Sequence, residues 1–217
     1  MAKFYVTTPA YYPNNVPHLG HAYTTIATDI LARWYRMQLG DKNVMFISGL
    51  DEHGEKLETA ALEKKIAPQE FVDQMAVKFE QTWKLLNISY NNFIRTSDQK
   101  HIKVVYDIFK KINDSGDIYK GFYEDWYCVP CESFWTESQL VHNKCPDCGR
   151  DVKKLKEESY FFKLGKYQEK LLQLYKDNPD FISPASRKQE IVNRVKEGLK
   201  YLSISRKQVK WGIPIPD

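Results

Sequence analysis

Thr7-Thr8-Pro9-Ala10-Tyr11-Tyr12-Pro13-Asn14-Asn15-Val16-Pro17-His18-Leu19-Gly20-His21 is the stretch whose reading decides the fold. Before it, Phe4 and Val6 alternate with polar neighbours from Lys3 to Thr7, the period of a strand. Pro9, Pro13 and Pro17 then exclude a helix, because each removes a backbone donor and crowds the preceding turn. From about Leu19, Ala22, Ile26, Ile30 and the Trp34-Tyr35 pair recur at helical spacing until Gly40-Asp41. The segment thus joins a strand to a helix through a proline-rich turn. That junction is where an α/β sheet presents its ligand crevice.

The pattern repeats downstream. Asn43 to Ser48, with Val44-Met45-Phe46-Ile47 at its centre, reads as a buried strand, and Gly49-Leu50-Asp51-Glu52-His53-Gly54 leads into a helical stretch ending near Lys65. Pro68 suits the first turn of a longer helix, on which Phe71, Met75, Phe79, Trp83 and Leu86 mark one face. Phe93-Ile94 is a third strand. Thr96 or Ser97 is placed to cap a helix carrying Ile102, Val105, Ile108, Phe109 and Ile112, which stops at Gly116. This order predicts an α/β fold, a Rossmann-like doubly wound parallel sheet over residues 1–115.

After Gly116 the texture changes. Aromatics crowd Tyr119 to Tyr127, all four cysteines fall between Cys128 and Cys148, and lysines thicken at Lys153, Lys154 and Lys156. Residues 116–200 read as an inserted unit, with a metal-bearing part at about 123–160. Tyr160-Phe161-Phe162 is its strand, and helices follow at about Leu164–Lys176 and Pro184–Leu199. Residues 201–217 return to the first domain, and Trp211-Gly212-Ile213-Pro214-Ile215-Pro216 reads as a chain cut within a domain.

Composition bounds the function. With 42% hydrophobic and 28% charged residues the chain is an ordinary globular sequence. A net charge of +4 permits a nucleic-acid partner without requiring one. No apolar run has the length of a signal peptide or a membrane span, which predicts a cytoplasmic protein. In that compartment thiols stay reduced and clustered cysteines read as metal ligands before disulfides.

Three groups of residues carry chemistry. His18 and His21 share a helix face at a helix start, where the dipole and free N–H groups favour anions, and Gly20 lets a flat ring approach the backbone. A bare His-x-x-His is met as often by two histidines that merely cap a helix. Asp51, after the second strand, can hold a cation such as an ammonium, or else cap the next helix. Cys128-Val129-Pro130-Cys131 and Cys145-Pro146-Asp147-Cys148, thirteen residues apart, have the spacing of a four-thiolate structural zinc site, with one Zn2+ per chain. Lys153, Lys154 and Lys156 could meet a phosphate backbone, or form a solvated face.

The first motif, through His18-Leu19-Gly20-His21, resembles the first signature of class I aminoacyl-tRNA synthetases. Gly49-Leu50-Asp51-Glu52-His53-Gly54 and Leu202-Ser203-Ile204-Ser205-Arg206 with Trp211-Gly212-Ile213-Pro214 resemble the methionyl-tRNA synthetase family, as does the single four-cysteine knuckle. The resemblance implies ATP-dependent activation of methionine to methionyl-adenylate, with Mg2+ accompanying ATP, and transfer to tRNA(Met). It places His18 and His21 on ATP phosphates and Gly20 against adenine. Asn14 faces the nucleotide, Ala10 and Tyr12 border the methionine pocket, Asp51 binds the ammonium, and Arg206 helps close the site. Leu19 stands where the family commonly has isoleucine, and Ala10 is smaller than its usual aliphatic residue. The family's Lys-Met-Ser-Lys-Ser loop and anticodon-binding domain have no counterpart here, so the expectation is that this piece is inactive alone. The rival readings are another class I synthetase, a nucleotidyl transferase of the same superfamily, or a zinc-ribbon RNA-binding module.

Overall fold

The computed structural model describes residues 2–131, 133–207 and 209–216. The chain forms two compact units, Met1–Ile108 with Val209–Asp217, and Phe109–Gln208.

In the first unit, β1 (Phe4–Tyr11), β2 (Val44–Leu50) and β3 (Asn92–Arg95) form a parallel sheet in the order β1-β2-β3. Parallel neighbours need long crossovers. These are α1 (Leu19–Leu39) between β1 and β2, and α2 (Glu55–Glu63) with α3 (Pro68–Leu85) between β2 and β3. The helix α4 (Gln99–Asp114) follows β3. β1 runs further than its alternation predicts: it passes through Pro9 to Tyr11. Its register slips between Thr7 and Ala10, so Pro9 sits at an irregularity where no ladder donor is needed. The buried Thr8 hydroxyl meets that of Ser48 on β2 at 2.9 Å.

The core of this unit is α3's inner face. Phe71, Met75, Phe79 and Trp83 pack against Leu57 and Ala61 of α2, Leu50 of β2 and Tyr11 of β1. Leu86, expected on that face, caps the helix and is 38% exposed, because the helix ends one residue before it. The inner face of α1 also differs from its apolar pattern. Ile30 and Trp34 are 62% and 49% exposed, whereas Thr25, Asp29 and Ala32 are buried. Polar anchors choose that face. Thr25 Oγ1 meets Tyr11 Oη at 2.7 Å, and the Asp29 carboxylate accepts from Ser89 N at 2.8 Å and Arg33 Nε at 2.6 Å.

In the second unit, β4 (Ile118–Cys128), β5 (Ser133–Trp135), β6 (Lys153–Phe162) and β7 (Leu202–Ser203) form an antiparallel sheet in the order β5-β4-β6-β7. β4 and β6 pair from Ile118↔Phe162 to Tyr127↔Lys153, so the cysteine-bearing chain lies at the far end of a long two-stranded arm. At the near end the buried Asp117 accepts from Lys166 Nζ at 2.6 Å and from the Tyr167 hydroxyl. Those two bonds, Lys166 first, hold its carboxyl down to about 2. The helices α5 (Gln168–Asp177) and α6 (Ala185–Lys196) complete the unit. No helix among the described residues is long and apolar enough to cross a membrane.

Candidate active site and metal centre

The carboxyl ends of β1 and β2 are joined beyond the last ladder pair, Tyr11↔Leu50, by a bond from Asp51 N to Tyr11 O at 2.8 Å. This sets Asp51, Ala10 and Tyr12 at one strand end. Ala10 and Asp51 are exposed there, and Tyr12 is half-buried with Lys56 Nζ 5.8 Å from its ring centroid. Gly49 is dictated by the sheet, since a Cβ on it would lie 2.2 Å from Ile94 O. Asn14 is exposed in the turn between β1 and α1.

His18 is the N-cap of α1. Its Nδ1 accepts from Gly20 N at 3.0 Å, while His21 Nδ1 accepts from His18 N at 3.2 Å. The two rings stack with centroids 3.8 Å apart. Both the capping reading and the functional reading are therefore compatible with the geometry, because the cap uses only Nδ1. A neutral imidazole that accepts at Nδ1 carries its proton on Nε2. Each ring thus keeps an Nε2–H donor at the positive end of a 21-residue helix whose first turn holds no acid. Burial, and then the repulsion that a charged His18 would exert, lower the pKa of His21, which favours the neutral form of that ring. Gly20 has a local reason as well: a Cβ would lie 2.9 Å from Cε1 of the His18 ring.

Sequence reasoning missed the residues that hold these groups. Tyr11 packs edge-on against the His21 ring at 4.8 Å and Phe79 flanks it at 5.4 Å. Thr96 and Ser97 do not cap α4, whose first helical N–H, that of Ile102, bonds Asp98 O. They hold Glu52 instead: Glu52 N donates to Thr96 Oγ1 at 2.8 Å, and Ser97 Oγ donates to Glu52 Oε2. Trp211 straps the same loop. Its indole N–H donates to Glu52 O and its carbonyl accepts from Gly54 N at 3.2 Å. Arg206 belongs to the second unit, where it donates to Ser203 Oγ at 2.7 Å and Ser205 O at 2.8 Å.

The second unit brings all four cysteines together, with sulfurs within 4.8 Å of one another. Cys128 and Cys148 are 3.5 Å apart and Cys131 and Cys145 are 3.8 Å apart. Four sulfurs at about 2.3 Å from a tetrahedral ion lie roughly 3.8 Å from each other, so the cluster fits a metal ion. The turn after Cys145 is closed by Gly149 N to Cys145 O and Cys145 N to Arg150 O, both 2.9 Å. Packed thiols resist ionising together. A shared proton with Cys148, and then burial, push Cys131 up to about 12. Burial opposes ionisation of Cys145, yet the N–H groups of Cys148 and Asp147 bring it down to about 7. Lys154 and Lys156 both pair with Glu124, at 3.4 Å each, across the β4–β6 arm, so they are engaged within the sheet.

Known proteins share the sequence and fold of the chain. A family described as "tRNA synthetases class I (M)" matches residues 4–155 and 149–217. The methionine–tRNA ligase of Caldanaerobacter subterraneus is 53% identical over 213 residues, covering 98% of this chain and 33% of that protein. That of Clostridium tetani is 54% identical over the same shares. The chain thus spans about a third of the length of these curated relatives. Mycobacterium tuberculosis methionyl-tRNA synthetase in complex with methionyl-adenylate superposes with a TM-score of 0.90 at 40% identity, over 100% of this chain and 43% of that one. With nearly every residue matched by the family and the parallel sheet, histidine cap and cysteine cluster all in place, the chain belongs to the class I tRNA synthetases of type M.

Proposed function

We propose that the chain is part of a methionine–tRNA ligase that acts in the cytoplasm: it activates methionine with ATP and Mg2+ and passes the methionyl group to tRNA(Met). The observation that carries this reading is that Tyr11, at the end of β1, touches both groups: its carbonyl accepts from the N–H of the exposed Asp51, and its ring packs against His21, one of the stacked histidine pair that opens α1. Asp51 attracts the α-ammonium of methionine, and Ala10 and Tyr12 border its side chain. A methionine carboxylate oxygen attacks the α-phosphorus of ATP, and the bond to the bridging oxygen of the β-phosphate breaks. The electron pair leaves with pyrophosphate. The Nε2–H groups of His18 and His21 donate to phosphate oxygens as that charge develops, in a role that suits neutral donors at a helix N-terminus. Gly20 lies against the adenine and Asn14 faces the nucleotide. The compact unit of residues 109–208 supports reading 116–200 as the insertion, and the placement of 209–217 in the first unit supports the returning-chain reading of 201–217 from Val209 onward, while β7 keeps Leu202–Ser203 in the second unit.

The test is amino-acid-dependent ATP–pyrophosphate exchange by a chain of the relatives' full length that carries these 217 residues. Exchange should require methionine. Exchange supported by another amino acid, or by none, would exclude the assignment.

The metal of the cluster is Zn2+ in this reading, one per chain and structural, since four thiolates leave no open position for substrate. Metal analysis should find one equivalent of zinc. Because the ligands must lose their protons, affinity should fall as pH drops, measurable by metal titration at several pH values. A chelator should loosen the end of the β4–β6 arm while the parallel sheet stays folded, measurable by hydrogen exchange. Disulfides in place of metal would contradict this.

A further inference from the structure

Glu52, the residue after Asp51, is fully buried with 0% exposure, while Asp51 is exposed. Its Oε1 accepts from Arg95 Nε at 2.8 Å and its Oε2 accepts from Ser97 Oγ and, at 3.4 Å, from Ser97 N. The second arm of the Arg95 guanidinium donates to Asp73 Oδ1 at 2.6 Å. One cation is thus shared by two carboxylates. A buried ion pair is a poor way to gain stability, because desolvation takes back most of the attraction and an apolar cluster of the same volume does as well. What the pair supplies is direction. A guanidinium and a hydroxyl approaching different oxygens fix the rotation of the Glu52 side chain. Its backbone is fixed too, with Glu52 N on Thr96 Oγ1 and Glu52 O on the Trp211 indole. The peptide that carries Asp51 has little freedom left.

We propose that Glu52, held by Arg95 and Ser97, is a positioning residue that aims the Asp51 carboxylate at the ammonium group of the amino-acid substrate. This rests on the ammonium role of Asp51.

A double-mutant cycle in the full-length protein tests it, with Glu52→Gln, Asp51→Asn and the pair assayed by methionine-dependent pyrophosphate exchange. Glu52→Gln should raise KM for methionine about tenfold, the usual scale for losing a residue that orients a ligand group. KM for ATP should stay within about twofold, which general loosening of the fold would not allow. In the Asp51→Asn background Glu52→Gln should change KM for methionine no further, since its effect passes through Asp51. Inhibition by 4-(methylthio)butanoate, which is methionine without its amino group, should be unaltered. Additive effects of the two substitutions, an equal rise in KM for ATP, or weaker inhibition by the analogue would overturn the proposal while leaving Asp51 in its role. An unchanged KM in Asp51→Asn alone would overturn the ammonium reading and this one with it. Arg95→Lys, which keeps the charge and loses the fork, runs the same cycle if Glu52→Gln does not fold.

Discussion

Replacing His21 by Ala should lower kcat for methionine-dependent pyrophosphate exchange about a hundredfold or more, the usual cost of one donor to developing transition-state charge. The KM for methionine should change little, because the imidazole Nε2–H strengthens its contact only as the phosphate charge builds. The structure sharpens the expectation. His21 Nδ1 also closes the cap with His18 N, so Ala removes a helix cap as well as a donor. A cap costs about 1 kcal/mol of stability and should appear as a modest loss in thermal unfolding, separate from the kinetic loss. His21→Asn separates the two. Its short amide can still cap the helix but does not extend to where Nε2 stood, so stability should recover and kcat should not. Steady-state kinetics and melting of the three proteins decide the matter. Recovery of kcat in His21→Asn would leave the histidine only its capping role.

Replacing Asp51 by Ala should damage binding as well as turnover. The carboxylate meets the ammonium in the ground state, and an ion pair of this kind contributes roughly 1.5–3 kcal/mol, so KM for methionine should rise about ten- to a hundredfold. Stability should hardly move. Asp51 is exposed, its N–H bond to Tyr11 O belongs to the backbone, and the loop is held from below by Glu52. The alternative reading of Asp51 as a helix cap finds no bond in the structure, because α2 has Gly54 as its N-cap. Denaturant unfolding, alongside methionine titration, checks both halves of this expectation.

What the sequence displayed well was local. The strand–turn–helix at Thr7 to His21 and the paired cysteines are short-range patterns whose chemistry is set by spacing, and each falls where the spacing predicted. What it hid was long-range. The apolar stripe Ile26, Ile30, Trp34 identifies α1 as a helix but not its buried face, which Tyr11 and Ser89 select by hydrogen bonds to Thr25 and Asp29. Thr96 and Ser97 look like caps because a helix follows them, yet Glu52, 44 and 45 residues away in sequence, claims both hydroxyls, that of Thr96 with its backbone N–H and that of Ser97 with its buried carboxylate. Trp211 is 159 residues from Glu52 and nothing in either neighbourhood announces the strap. Pro9 ends a strand by propensity, and only the register slip against β2 lets β1 run on to Tyr11. A signal was available for one of these. Glu52 stands between two polar residues, directly after a buried strand, and an acid in that place needs a partner, for which Arg95 at the end of the next strand is the natural candidate.

The division of labour at the strand ends is the central claim, and KM for methionine in Asp51→Ala and His21→Ala, measured side by side in one exchange assay at saturating ATP, tests it most directly. A rise of about tenfold or more is expected for Asp51→Ala and of less than about twofold for His21→Ala, with kcat lowered in both. An unchanged KM in Asp51→Ala, or equal rises in the two variants, would contradict it.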